Sequence, residues 1–224
     1  LCAEALLRYN HPERGIINPM EFIPLAEEIG IMDKIGEFVL EQSIKDLKKL
    51  EKQGHKKLDI HVNISPAHIN KNDFTNNIIN ITKKYNFSAS RIWLEITEDV
   101  ALFNIQQQEQ KFQFLKNNGV KISIDDFGTG YSSFLYLKQL SADQIKIDKS
   151  FVINMKTNKR DLEIIKTIIT LAQSLDIDLV TEGVEDQESF EILKDLGVKK
   201  MQGYHFARPM DISAFEKFLT GIKK

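Results

Sequence analysis

The sequence predicts an α/β fold of the TIM-like (β/α)8 barrel class, and three observations carry that expectation. Seven short apolar, β-branched runs recur along the 224 residues, and each is followed by a longer stretch with helical periodicity. Nearly every run ends in a carboxylate, an amide or a lysine, and a (β/α) barrel carries its active site on that C-terminal strand face. Strand alternating with helix gives βαβ units and a parallel sheet. Seven units in this length favour a closed barrel over an open doubly wound sheet.

The runs expected as strands span residues 1–7, 58–64, 91–96, 120–124, 144–147, 178–180 and 199–204. Between them, the spacing of Ile35, Val39, Leu40, Ile44, Leu47 and Leu50 marks one amphipathic helix. Leu162, Ile165, Ile168, Ile169 and the segment 171–175 mark another. Gly54 reads as a stop after the first, and Asn117-Asn118-Gly119 as a stop after a helical segment over 99–116. An eight-stranded barrel needs one more strand, expected to precede Leu1. The chain opens inside an apolar run without an initiator Met, so it reads as part of something longer. No Pro- or Gly-rich linker, low-complexity tract or solenoid repeat interrupts it, and residues 1–224 are read as a single domain.

Composition excludes several classes. Hydrophobic residues make up 42% and charged residues 28%, an ordinary globular balance. Thirty Lys and Arg against 32 acidic residues leave a net charge of -2, which supplies no field for polymeric nucleic acid. A small anionic ligand would need locally placed cations or metals. Cys2 is the only cysteine; it forms no internal disulfide, offers no Cys-x-x-Cys zinc site, and suits a reducing, cytoplasmic setting. No apolar stretch approaches the roughly 18–20 residues that cross a bilayer, so no direct membrane contact is expected of this domain.

The strand ends carry the chemistry. In order they present Glu4, Asn63, Glu95, Asp125-Asp126, Lys146 then Asp148, Glu182 with Glu185, and Gln202. Carboxylates crowded together repel and lose hydration unless cations offset their charge. Oxygen ligands with one amide and no His or thiolate select Mg²⁺ or Mn²⁺, with Ca²⁺ as a non-catalytic substitute. Adjacent aspartates suit a binuclear site whose ions stand about 3.5–4 Å apart and activate water against phosphorus. Lys146 would then orient the attacking water or neutralise transition-state charge. Phe127-Gly128-Thr129-Gly130-Tyr131-Ser132-Ser133 follows as a loop able to gate the site.

Each residue also has an ordinary reading. Asp125-Asp126 equally suits a solvated turn and helix cap, and Glu182 and Glu185 suit a helix N-terminus. Glu4 alone is a strand-end carboxylate. Lys146, flanked by Ile145 and Ile147, lacks a cheap polar partner unless acids are near. His61 and His205 are discounted as ligands because no partner stands at metal spacing. Lys45, Lys48, Lys49, Lys52, Lys56 and Lys57 read as a solvated helix face, and Phe112 and Phe114 as core or dimer contacts.

Glu4-Ala5-Leu6-Leu7-Arg8, Phe22-Ile23-Pro24-Leu25-Ala26-Glu27, Asn63-Ile64-Ser65, Leu94-Glu95-Ile96-Thr97-Glu98, Asp125 to Gly130, Lys146-Ile147-Asp148, Glu182-Gly183-Val184-Glu185 and Gln202-Gly203-Tyr204 together resemble the EAL-domain family of cyclic di-GMP phosphodiesterases. Their order and spacing carry the resemblance from Leu1 to about Phe218. It implies a barrel of the EAL type whose first strand lies before Leu1, and two-metal hydrolysis of a bacterial second messenger to the linear dinucleotide pGpG. Glu4, Asn63, Glu95 and Asp125 would hold the first ion, and Asp125, Asp126 and Glu182 the second. Lys146 would position water, and Glu185 would support the metal shell. Arg8 would contact a phosphate, Gln202 would line the site, and Arg208-Pro209 would lie near a guanine. Glu98 would anchor the loop and couple it to a homodimer interface. Ca²⁺ would inhibit. The implied domain is cytoplasmic or the cytoplasmic part of a membrane-anchored protein. Thr181 stands where the family usually has alanine. The alternative is a catalytically silent cyclic di-GMP receptor, against which the intact ligand set argues.

Overall fold

The computed structural model describes residues 1–55, 58–102, 105–130, 137 and 140–222. Two compact units divide the chain: Leu1–Leu94 with Phe114–Lys121 and Met210–Lys224, and Glu95–Gln113 with Ile122–Pro209.

In the first unit, β1 (Cys2–Ala5) is followed by a hairpin of β2 (Tyr9–His11) and β3 (Gly15–Ile17), then α1 (Pro19–Glu28), α2 (Met32–Lys52) and β4 (Asp59–Asn63). Strands β1 and β4 pair in parallel, with Glu4 opposite His61 and Ala5 opposite Val62. The hairpin was not foreseen, because three-residue strands are too short to show alternation. Its turn is held by His11, whose Nδ1 accepts from the Glu13 and Arg14 N–H groups at 3.1 and 3.2 Å. Asn18 caps α1, with Pro19 at the first helical position. Along α2, Leu40, Ile44, Leu47 and Leu50 are all buried, as their spacing predicts. Its lysines lie on a polar face: Lys45 pairs with Glu41 at 3.8 Å and Lys49 with Glu216 at 3.6 Å. Lys56 and Lys57 lie outside the described residues. Two further helices follow β4: α3 (Pro66–Ile69), capped by Ser65, and α4 (Phe74–Lys84).

Strand β5 (Ile92–Thr97) runs from the first unit into the second. There follow α5 (Glu98–Leu102), α6 (Ile105–Asn117), β6 (Lys121–Phe127), β7 (Gln144–Ile147), α7 (Lys149–Asn154), α8 (Lys159–Leu175), β8 (Asp178–Thr181), α9 (Gln187–Asp195) and β9 (Lys200–Met201), and α10 (Ile212–Ile222) returns to the first unit. All seven expected strands are present, and β5 to β9 lie side by side in sequence order. Of the segment 99–116 read as helical, Glu98–Leu102 and Ile105–Asn117 are helical, and residues 103 and 104 lie outside the described residues. Ile92 to Ile96 and the whole of β7 are buried. Parallel strands covered on both faces carry such unbroken apolar runs, so a charged residue within them must find an internal partner. Phe112 is fully buried, whereas Phe114 is 42% exposed. Among the described residues no helix is long and apolar enough to cross a membrane.

Thr181, at the end of β8, is fully buried opposite Ile147, and its hydroxyl has no hydrogen-bond partner among the described residues. Burying an unpaired hydroxyl costs about 1–3 kcal/mol. Thr181→Val keeps the shape and removes that cost, so urea melts should show a gain of about 1 kcal/mol. A clear loss of stability would contradict the reading.

Candidate active site

In the second unit, Lys146 is 1% exposed and meets three carboxylates. Its Nζ stands 2.7 Å from Glu95 Oε1, 3.3 Å from Asp125 Oδ1 and 2.5 Å from Glu182 Oε1. The parallel register explains the meeting. Lys146 lies opposite Val180, and Glu182 falls two residues further on, on the same face of the strand. Glu95 comes from the middle of the buried β5. These three acids are the partners that the flanking isoleucines cannot offer the buried ammonium.

Asp125 and Asp126 raise a geometric problem, since consecutive strand residues point to opposite faces. A register shift solves it. Ile124 lies opposite Ile145 and Phe127 opposite Ile147, so both aspartates share the place opposite Lys146, and Asp126 takes φ 53°. Such a bulge re-aims side chains at strand ends. As a result Asp125, Asp126 and Glu182 each offer a carboxylate oxygen, all within 4.8 Å of one another.

The electrostatics follow from crowding. Burial pushes the Asp125 carboxyl up to about 7, with Glu182, Glu95 and Asp126 adding to the rise against the pull of Lys146. Asp126 is also raised, by burial first and then by Asp148, with which it shares a hydrogen bond. A raised carboxyl keeps its proton when folded, so stability from Asp125 is present at low pH and is lost as pH rises through about 7. Four carboxylates face one lysine here, which leaves negative charge that a divalent cation would neutralise. The donor set, all oxygen, fits Mg²⁺ or Mn²⁺ rather than zinc.

Asp148 shows what the sequence reading missed. Its Oδ1 accepts from the Ser150 N–H at 2.9 Å and from the Ser150 hydroxyl, capping α7. The Asp-x-Ser spacing at a helix start was the available signal.

Glu98 is buried, and its Oε2 accepts from the Gly128 N–H at 3.0 Å. Gly128 takes φ 99°, which a side chain would strain. A Cβ at Gly130 would stand 3.1 Å from Glu98 Oε1, so the loop lies closely over that carboxylate. Tyr131, Ser132 and Ser133 lie outside the described residues.

In the first unit, the Asn63 amide donates to Glu4 Oε1 at 2.8 Å. Arg8 is exposed and donates to its neighbour's carbonyl. Back in the second unit, Glu185, Gln202, Arg208 and Pro209 are exposed. Gln202 donates its N–H to the Thr181 carbonyl at 2.8 Å and accepts from the Val184 N–H at 3.1 Å. The Arg208 guanidinium lies 4.8 Å from the centre of the Tyr204 ring. Among the described residues, neither discounted histidine belongs to the group of acids able to hold a metal. His61 stacks on Trp93, 5.2 Å between centroids, and His205 packs against Phe190 and Phe206.

Parallel βα units whose strand ends gather carboxylates around one buried lysine define a class of metal-capable α/β proteins. Within that class, the chain belongs to the EAL domain family, whose model matches residues 1–209. It is 38% identical over 220 residues to the cyclic di-GMP phosphodiesterase NbdA of Pseudomonas aeruginosa, covering 98% of this chain but 28% of that protein. It is likewise 38% identical over 207 residues to the bifunctional diguanylate cyclase/cyclic di-GMP phosphodiesterase MucR of the same organism, covering 92% of this chain and 30% of that one. This chain therefore spans under a third of the length of these curated relatives. Among solved structures, the PaMucR phosphodiesterase in complex with c-di-GMP superposes at TM-score 0.91 with 37% identity, over 95% of this chain and 86% of that one. The FimX EAL domain from Pseudomonas aeruginosa bound to c-di-GMP gives TM-score 0.84 and 27% identity, over 93% and 83%. The fold class is thus the TIM-like (β/α) type of EAL domains.

Replacing Lys146 by Met removes the cation that Glu95, Asp125 and Glu182 share. Breaking a buried ion set costs about 3–5 kcal/mol, and thermal melts of the metal-free variant should show that loss. Saturating Mn²⁺ should recover a larger part of the stability in Lys146→Met than in the parent. Equal Mn²⁺ shifts in both would contradict a cation-deficient cluster.

Proposed function

We propose that this chain hydrolyses cyclic di-GMP to linear pGpG with two divalent cations, Mg²⁺ or Mn²⁺, and that Ca²⁺ inhibits it. The observation that carries the proposal is the acid excess around Lys146, with Asp125, Asp126 and Glu182 able to contribute oxygens to one ion. The family membership and the activities for which NbdA and MucR are named point the same way.

Glu4, Asn63, Glu95 and Asp125 hold one ion, and Asp125, Asp126 and Glu182 the other. When bound, the ions supply Lewis-acid activation of water and neutralise phosphate charge. Lys146 orients the water and balances charge on the phosphoryl oxygens. Arg8 binds a phosphate; Gln202, Arg208 and Pro209 line the nucleotide; Glu185 supports the metal shell. Glu98, through the Gly128 N–H, anchors the loop that begins at Phe127 and links it to a homodimer interface. Residues 1–224 act as one cytoplasmic domain, free of direct membrane contact and of polymeric nucleic acid, inside a larger signalling protein. A silent receptor would have no need of the complete acid set.

The test is turnover of cyclic di-GMP under Mg²⁺, followed as pGpG release, in the parent and in Glu4→Ala. Loss of one ligand should remove several kcal/mol of metal stabilisation, and about 3 kcal/mol is roughly a hundredfold in rate. An unchanged rate in Glu4→Ala would defeat the assignment.

A further inference from the structure

His68 lies in α3, on the segment that follows Asn63, and is 1% exposed. Neither of its ring nitrogens has a hydrogen-bond partner among the described residues. The ring is held by shape alone. On one side it lies against the bare backbone of Gly36 in α2, where any Cβ would collide with Nδ1. On the other, the Phe74 ring of α4 meets it edge-on at 4.9 Å. The main chain of His68 is in turn tied to Ser65, whose hydroxyl accepts its N–H at 3.2 Å and whose carbonyl accepts it at 3.1 Å. Ser65 stands two residues beyond Asn63, the donor to Glu4.

Charged groups surround this slot without reaching into it. Asp33 and Glu37 come from α2, Asp73 from the start of α4, and Lys71 from the turn between α3 and α4. Each already has another partner: Lys71 pairs with Asp33 at 3.1 Å, and the Asn77 amide donates to Glu37 at 2.7 Å and to Asp73 at 3.2 Å. A neutral imidazole therefore fits the slot, and a charged one would be drawn out toward the acids.

We propose that His68 is a proton-sensitive positioning residue: neutral, it locks α3 between α2 and α4 and so fixes the strand end bearing Asn63; protonated, it leaves the slot and frees that end. The direction of its titration agrees. Burial holds the imidazole below its ordinary 6.5, against the opposing pull of Glu37, Asp33 and Asp73. The unfolded chain, titrating at about 6.5, then takes up a proton that the folded chain refuses. Stability is present above that pH and is lost as pH falls below it.

The consequence for Asn63 rests on its proposed role as a metal ligand, whereas the latch itself does not. The two are therefore read separately on the full chain. Metal-free melts between pH 8 and 5 compare the parent with His68→Gln and His68→Leu, and the His68 ring resonances are followed by NMR in the parent. The parent should lose about 3 °C more than either variant below pH 6.5, and His68 should titrate below 6.5. Identical pH slopes in all three proteins, or titration of His68 at 6.5 or above, would overturn the latch. Calorimetric Mn²⁺ affinity, measured at pH 7.5 and 5.5, should fall severalfold more in the parent than in His68→Gln. Equal falls would overturn the coupling to Asn63. Failure of cyclic di-GMP turnover would touch the functional assignment alone and leave the melt comparison standing.

Discussion

One buried lysine shared among three carboxylates is the constraint on which the site depends. Lys146 sits in a strand covered on both faces, where an ammonium without counter-charge would cost several kcal/mol. Glu95, Asp125 and Glu182 remove that cost, yet their number overshoots it. With Asp126 beside them the cluster carries more negative charge than one lysine offsets. Burial answers the excess in part, by pushing the Asp125 carboxyl up to about 7, where it keeps its proton more readily. The polypeptide can relieve this by keeping protons or by admitting cations.

The surrounding structure can be understood as serving that cluster. The bulge in β6 sacrifices one rung of sheet pairing to bring two adjacent aspartates together. Asp148 divides its acceptors between the α7 N-terminus and Asp126, so the helix start and the cluster are fixed by the same side chain. Glu98 holds the Gly128 N–H, which ties the loop leaving the aspartates to the segment leaving β5. These are hydrogen bonds to buried carboxylates, stronger than neutral ones and costly to leave unmade.

Much of this was legible in the amino-acid order. Unbroken β-branched runs marked the strands because parallel strands bury both faces, and the carboxylates after them marked the strand ends. Lys146 between two isoleucines demanded acids, and the acids are there. Other features were not legible for definite reasons. The hairpin at Tyr9–His11 and Gly15–Ile17 is too short for periodicity and is fixed by a side chain, His11, binding backbone. Asp148 stood in line with the strand-end acids, and its Asp-x-Ser spacing, the mark of a helix cap, was the weaker signal beside them. The slot around His68 depends on Gly36, distant in sequence and silent without a side chain.

If the acid excess around Lys146 takes up divalent cations, manganese anomalous diffraction from crystals of this chain grown with Mn²⁺ will reveal them. Two anomalous peaks are expected, one in contact with Asp125, Asp126 and Glu182 together. At saturating Mn²⁺, the absence of any peak at those three carboxylates would contradict a divalent cation site there.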